Sequence, residues 1–301
     1  MFESILGNEP IKNYLRKAVA EERLPHAFLF AGPDGVGKSL FAKDLAIELL
    51  GSKARIETEN HPDLHILRPE GKSGLHAIET LRRLIEDVHA SPFEARSKVF
   101  VIHDAHRMQP AAANALLKTL EEPTPDTVLV LLTSAPQEIL PTIASRCTFL
   151  RFQLLSEKEV ASLLEAKGLP ESLAKSAHGS AGRAFDLAAK APVEKSLFRL
   201  LSERKSYPQI ALAIEQIEKE IEDEDSVKHA SSVEHIFAVV LMWHRDQAAR
   251  ALGAPLFFAD APLPDHPLPS LSEVERIVDE ARLAVSRNMR LSVCIEKVFT
   301  I

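Results

Sequence analysis

Gly32-Pro33-Asp34-Gly35-Val36-Gly37-Lys38-Ser39 decides the reading of this 301-residue chain. The stretch fits G-x-x-x-x-G-K-[ST], a glycine-rich loop that cradles phosphate. Its flanks supply the context that the motif needs. Ala27-Phe28-Leu29-Phe30-Ala31 before it reads as a buried strand, and Leu40-Phe41-Ala42-Lys43-Asp44-Leu45-Ala46 after it as a helix. Gly32, Gly35 and Gly37 let the backbone approach a phosphate, and the helix N-terminus points its amides at it. Lys38 would neutralise the β- and γ-phosphates, and Ser39 would ligate Mg²⁺. The competing reading is a glycine-rich strand-to-helix turn that binds nothing.

Outward from the loop, apolar runs at 27–31, 64–67, 99–102, 128–132 and 148–152 alternate with helical stretches at 40–50, 77–89 and 111–120. Such alternation predicts a parallel sheet covered on both faces, with ligands at the carboxyl ends of its strands. After Phe152 the strand-like runs stop. Residues 157–166, 171–177 and 181–190 read as short helices separated by Gly168 and Gly179-Ser180, and Pro192 marks a boundary. Longer amphipathic helices follow at 193–203, 208–222, 232–252 and 272–287, with a proline-rich loop over 253–269. Residues 218–225 form an acidic stretch, read as a solvated helix end. The expected organisation is a nucleotide-binding α/β domain over 1–153, a small helical lid over 154–192 and an all-α domain over 193–301.

The bulk composition narrows the function. A chain with 46% hydrophobic and 26% charged residues is globular, and it shows neither a membrane-length apolar run nor an N-terminal signal, which predicts a cytoplasmic protein. Cys147 and Cys294 are the only cysteines, so a disulfide framework and a four-cysteine zinc site are excluded. A net charge of −7 argues against nucleic-acid binding by bulk electrostatics.

Phosphate chemistry of the ATPase kind wants a second element, an acid at the end of a neighbouring strand. The candidate strand Lys98-Val99-Phe100-Val101-Ile102 ends in His103-Asp104, where an Asp followed by Glu would be usual. His103 takes the metal-holding slot, although Mg²⁺ prefers hard oxygen ligands. Asp104 takes the slot of the water-activating Glu and is one methylene shorter. Both also read as plain strand-end polar residues.

Several further segments carry a resemblance. They are Leu24-Pro25-His26-Ala27-Phe28-Leu29-Phe30, His61-Pro62-Asp63-Leu64-His65, the run from Ala112-Ala113-Asn114-Ala115-Leu116-Leu117 through Lys118-Thr119-Leu120-Glu121-Glu122-Pro123, and Ser145-Arg146-Cys147. In this order they resemble the boxes of AAA+ clamp-loader subunits, those of the delta-prime type in the bacterial DNA polymerase III complex above all. The resemblance covers the first two expected domains. The C-terminal helices match in character, with residues 288–291 similar to the family's final segment.

The resemblance implies an AAA+ P-loop doubly wound parallel sheet, a helical lid and an all-α oligomerisation collar. It implies a hetero-pentameric ring with gamma/tau-type and delta-type subunits, which uses ATP to open a sliding clamp and load it on primed DNA. Arg146 would be an arginine finger in trans, a planar fork of donors suited to phosphate oxygens. As bare sequence, Arg146 also reads as a surface residue closing a strand. Thr133 and Ser134 would be the polar sensor, and Arg183, in Gly179-Ser180-Ala181-Gly182-Arg183, the lid sensor reaching the chain's own nucleotide. Asn114 would relay ring contacts. Cys147 reads as a small buried residue rather than a nucleophile.

Two departures qualify the picture. The zinc module carried by many relatives is missing from residues 51–60, so zinc is not expected; ATP or ADP with Mg²⁺ is the expected cofactor. The loop is whole but the strand-end acid is altered, so the chain should bind nucleotide and hydrolyse it poorly by itself. Two other readings stay open: a gamma/tau-like ATPase motor, and a non-catalytic interaction protein with a relic loop.

Overall fold

The computed structural model describes residues 1–69, 74–222, 226–258, 260–287 and 289–299. In chain order the elements are α1 (Glu9–Ala20), β1 (Ala27–Ala31), α2 (Lys38–Leu50), α3 (Lys53–Glu57), β2 (Leu64–Leu67), α4 (Ile78–His89), β3 (Lys98–Ile102), α5 (Pro110–Glu121), β4 (Thr127–Thr133), α6 (Pro141–Ala144) and β5 (Thr148–Arg151). Then come α7 (Glu157–Glu165), α8 (Leu173–Ser176), α9 (Ala181–Ser202), α10 (Tyr207–Glu222), α11 (Ser226–Ala251), α12 (Leu271–Ser286) and α13 (Leu291–Phe299). The chain divides into two compact units, Met1–Ala188 and Ala189–Ile301.

The first unit is built on a five-stranded parallel sheet in the order β2-β3-β4-β1-β5. This is the predicted doubly wound α/β fold, with β1 paired on both edges. Side chains alternate across a strand, so each strand feeds two cores. Phe28 and Phe30 of β1 pack with Phe41, Leu45 and Phe152 on one face. Ala27 and Leu29 of the same strand join Leu116, Leu120 and Leu131 on the other. Every residue of β1, β3 and β4 is buried, which explains their near-continuous apolar sequences.

Helix α1 has no counterpart among the sequence-based expectations. It starts with Pro10 in its first turn and buries Ile11 and Leu15, spaced one turn apart, in the Phe28 core. The residues before it are also fixed. Phe2 stacks on Phe41 at 4.9 Å, and its backbone N–H donates to Asp44 Oδ2 at 2.5 Å. That anchoring brings the start of the chain over α2.

Helices α7, α8 and the start of α9 enclose a small core of their own around Val160, Leu164, Ala174 and Ala184. A capping box starts α7: Glu159 N–H donates to Ser156 Oγ at 3.3 Å, and Ser156 N–H to Glu159 Oε2 at 2.7 Å.

The sequence places a break at Pro192, yet α9 runs through it from Ala181 to Ser202. Proline removes one intrahelical donor, the bond toward the carbonyl of Ala188. The helix holds because Val193, Leu197, Leu200 and Leu201 beyond it are buried. Packing of an apolar face supplies more helix stability than one backbone bond.

The second unit is all helical. Trp243, Phe237 and Ile236 of α11 are buried with Val274, Ile277 and Val278 of α12. Asp246, 1% exposed, accepts N–H bonds from Phe257 at 3.0 Å and Phe258 at 2.7 Å and so ties the proline-rich loop to α11. Asn288, the first residue of the family-like final segment, and residues 223–225 of the acidic stretch lie outside the described residues. No helix among the described residues is long and apolar enough to cross a membrane.

Candidate functional site

The glycine-rich loop leaves β1 at Gly32 and enters α2 at Lys38, at the carboxyl end of the sheet. Each glycine has its own geometric reason. A Cβ at Gly32 would stand 2.6 Å from the carbonyl oxygen of Phe152. Gly35 has φ +74°, and a Cβ there would lie 2.3 Å from Ser180 Oγ and 2.8 Å from the Cα of Gly182. Gly37 has φ +97° and caps α2. Left-handed backbone of this kind favours glycine.

The start of α9 is laced to this loop. Gly182 N–H donates to the Gly35 carbonyl at 3.0 Å, and Ser180 Oγ donates to the Asp34 carbonyl at 2.8 Å. The segment Gly179-Ser180-Ala181-Gly182 therefore braces the loop through one backbone bond and one hydroxyl bond to its carbonyls.

Lys38 is 8% exposed. Its ammonium donates to the carbonyls of Gly32 at 2.6 Å and Pro33 at 2.7 Å, and stands 3.5 Å from Asp34 Oδ1. Burial lowers its pKa, against the opposing pull of Asp34 and Asp104. A phosphate would replace two carbonyl dipoles by full negative charge, a stronger partner for a buried ammonium.

Loop, strand end and lid face one cavity of about 440 Å³. Its walls include Gly35, Gly37, Lys38 and Ser39 from the loop and α2, and His103 and Asp104 from the turn after β3. The volume lies within the range of small-molecule and nucleotide sites. The structure thus brings together six of the residues singled out in the sequence. It also adds walls that no motif announces: Ser4, Ile5 and Leu6 from the N-terminal segment, and Leu163, Lys167 and Phe185 from the lid. The Lys167 ammonium lies 4.3 Å from the centroid of the Phe185 ring, a cation–π pair.

The turn after β3 is held firmly. His103 N–H donates to the Leu67 carbonyl at 2.8 Å, and the buried His76 bonds through Nε2 to the His103 carbonyl at 2.7 Å. Burial, helped by the charge of Arg68, pushes the His103 imidazole down to about 4, so it is neutral at physiological pH. Asp104 adopts the left-handed region, with φ 45° and ψ 48°. Register sets the surroundings: Leu67 pairs with Ile102, so Arg68 stands beside His103. Arg68 grips Glu59 with two nitrogens, at 2.8 and 2.7 Å, and Lys43 meets the same carboxylate at 2.9 Å. The Arg68 bond is the main reason the Glu59 carboxyl falls to about 2.

Mg²⁺ demands oxygen ligands in near-octahedral array and keeps waters that carboxylates hold. The Ser39 hydroxyl meets that demand. The strand end offers a neutral imidazole at His103 and, one residue on, the Asp104 carboxylate, both on the cavity wall.

The remaining sequence candidates are not among the residues that line this cavity. Gly32 and Ser134 line a second cavity, near Phe149 and Arg151. Thr133 is fully buried; its hydroxyl accepts from Ala135 N–H at 3.1 Å and bonds His106 Nδ1 at 3.2 Å. Arg183 lines a third cavity with Pro33, Asp34 and Asp186. Arg146 sits between α6 and β5, donating to the Thr142 carbonyl at 2.9 Å and pairing with Glu121 Oε1 at 2.7 Å. Exposed pairs of this kind contribute at most about 1 kcal/mol, so Glu121 yields readily to a stronger anion. Asn114 is exposed on α5. Burial pushes the Cys147 thiol up to about 12, which removes it as a nucleophile, as its sequence context suggests.

Residues 7–156 match the family model described as DNA polymerase III, delta subunit. The DNA polymerase III subunit delta' of Bacillus subtilis is 39% identical over 162 residues, covering 50% of this chain and 49% of that protein. The DNA polymerase III subunit gamma of Buchnera aphidicola is 30% identical over 207 residues, covering 62% and 57%. The chain thus spans about half the length of the relatives it matches. Among solved structures, the Thermotoga maritima gamma subunit-related protein aligns over 97% of this chain and 96% of that chain, at 17% identity and a TM-score of 0.44. The fold assignment rests on the sheet order above.

Proposed function

We propose that this chain, which over residues 7–156 belongs to the DNA polymerase III delta-subunit family, serves as a delta-prime-like subunit of a clamp-loader ring. In this reading it binds ATP or ADP in the loop cavity and contributes little hydrolysis of its own. It joins gamma/tau-type and delta-type subunits in a hetero-pentamer that loads a sliding clamp onto primed DNA. The helices of the second unit supply the collar, so that the chain works as three domains, 1–153, 154–192 and 193–301.

One observation carries the reading: an intact loop faces the same cavity as a strand end without the metal-holding acid. Binding and turnover need different groups, and in this reading the second set is incomplete because His103 takes the place of the metal-holding acid. Arg146 then acts on a neighbour's nucleotide. It is a third exposed, and it is held by a carbonyl and one carboxylate that a triphosphate can displace. Thr133, wired to His106 and Ala135, acts through the position of the β4 end.

Reconstitution tests the assignment. The isolated chain should show little ATPase, and Arg146→Ala should lower the ATPase of a loader assembled with a gamma-type subunit without dissociating it. Unchanged activity of the assembled ring removes the finger role. Robust turnover by the chain alone, abolished by Lys38→Ala, would favour the gamma/tau-like motor, a reading that the match to the Buchnera gamma subunit keeps in view.

A further inference from the structure

The second unit, Ala189–Ile301, holds a cavity of its own of about 660 Å³, a size suited to a small molecule or a short peptide end. Leu201 and Ile210, both buried, line it together with Leu268 and Phe299. Its wall is pinned in place. Asp265 N–H donates to the Ser202 carbonyl at 2.8 Å, and Arg204 N–H donates to Asp265 Oδ1 at 2.9 Å, which ties the loop before α12 to the end of α9. His244 of α11 also lines the cavity, although it is only 5% exposed. Its Nδ1 lies 2.8 Å from the Val240 carbonyl, which can only accept, so Nδ1 carries the hydrogen. Burial lowers the His244 pKa and keeps the ring neutral. Nε2 is then an acceptor, and among the described residues no donor meets it. It is not sealed in protein either, so its donor would come from the cavity.

The charged side chains on the same wall are Glu203, Arg204 and Lys205, one anion and two cations. Lys205 is committed to Glu203 at 2.5 Å. The Arg204 side chain is exposed and meets no acid among the described residues. The Tyr207 hydroxyl is bonded to Glu296, and His266 uses Nδ1 on the Pro267 carbonyl at 3.1 Å. The cavity therefore offers one uncommitted guanidinium, one buried acceptor and an apolar lining. A ligand that answers all three carries a single negative charge, an N–H donor and an apolar group. A phosphate monoester brings close to two negative charges and would set the second against Glu203. The last residue of a peptide has the full set: one carboxylate matched to the arginine fork, an amide N–H and a side chain. We propose that this cavity binds the C-terminal end of a polypeptide that finishes in a large apolar residue, with Arg204 on the carboxylate and His244 Nε2 on the last amide N–H. The site stands independently of what the loop cavity holds.

The test is ligand-observed NMR on the purified full chain with N-acetylphenylalanine, the smallest copy of such an end. Its dissociation constant should be about millimolar, as befits a ligand of this size. The corresponding primary amide, which lacks the charge, and hydrocinnamate, which lacks the N–H, should each bind at least about fivefold more weakly. Arg204→Gln, a surface change, should abolish the preference for acid over amide. His244→Phe should abolish the preference over hydrocinnamate, and Arg204→Gln reports independently if that buried change prevents folding. The peptide Gly-Ser-Gly-Ser-Phe with a free carboxylate should bind at least as tightly as N-acetylphenylalanine; weaker binding overturns the chain end in favour of a free acylated amino acid. AMP at equal concentration should leave the acid bound, and displacement overturns the choice of a single charge. A preference for acid over amide that survives Arg204→Gln overturns the role given to Arg204. No binding of the acid, or equal binding of acid and amide, overturns the proposal.

Discussion

The loop after β1 and the turn after β3 end two strands of one sheet and face one cavity, yet they differ in what they keep. The loop has every group needed to hold a phosphate: three glycines, a buried lysine and a helix N-terminus. The turn has the right position and firm anchoring by His76 and Leu67, but an imidazole stands where hydrolysis wants an acid. Holding a nucleotide and cleaving it are thus encoded at separate places, and one can be lost without the other.

The comparison can be broken from the loop side first. Gly35→Val puts a branched side chain at φ +74°, against Ser180 and the backbone of Gly182. It should cost about 3–4 kcal/mol of stability, read as a lower midpoint in denaturant. Lys38→Ala should leave the fold intact and weaken nucleotide binding by about 2–3 kcal/mol, roughly 100-fold, in a direct titration. A weaker effect would mean that the ammonium stays with the Gly32 and Pro33 carbonyls when nucleotide binds.

The turn responds to pH instead. The His103 pKa is about 4 in the folded chain, against about 6.5 unfolded, so below pH 6.5 the unfolded chain takes up the proton first. Its contribution is complete above pH 6.5 and fades as pH falls toward 4. Between pH 7.5 and pH 5 it should remove about 2 kcal/mol of stability, and His103→Asn should flatten that part of the thermal-melt profile. Burial lowers His65, His76 and His244 as well, so the slope has the same sign throughout and His103→Asn removes only a share. The smallest effect is expected for Asp104→Asn. Asparagine tolerates the left-handed backbone as aspartate does, and affinity should change by less than about threefold with turnover still low. A large fall in turnover would return Asp104 to a catalytic role.

Much of this was readable in the sequence. The loop, the five strands and the His103-Asp104 anomaly are local patterns, and local patterns survive folding. The cavity walls from Ser4 to Leu6 and from Lys167 and Phe185 were not readable, because tertiary packing alone brings them to the loop. Arg68 was invisible for the same reason: its meaning comes from strand register beside His103. Pro192 misled because proline marks helix ends by a local rule, which the burial of Leu197 and Leu201 overrides. Motif order suggests Arg183 as a sensor; it lines a neighbouring cavity that shares Asp34, Gly35 and Gly182 with that of Lys38.

The glycines of the loop have a further consequence. Gly32 is demanded by the Phe152 carbonyl and Gly35 by Gly182, whatever occupies the cavity. Such positions would be kept by a descendant that no longer used nucleotide at all, since losing them injures the fold before it injures any chemistry. In this architecture an unbroken glycine signature testifies to inheritance of a scaffold. The witnesses to use are Lys38, Ser39 and the strand-end residues, whose side chains face the cavity.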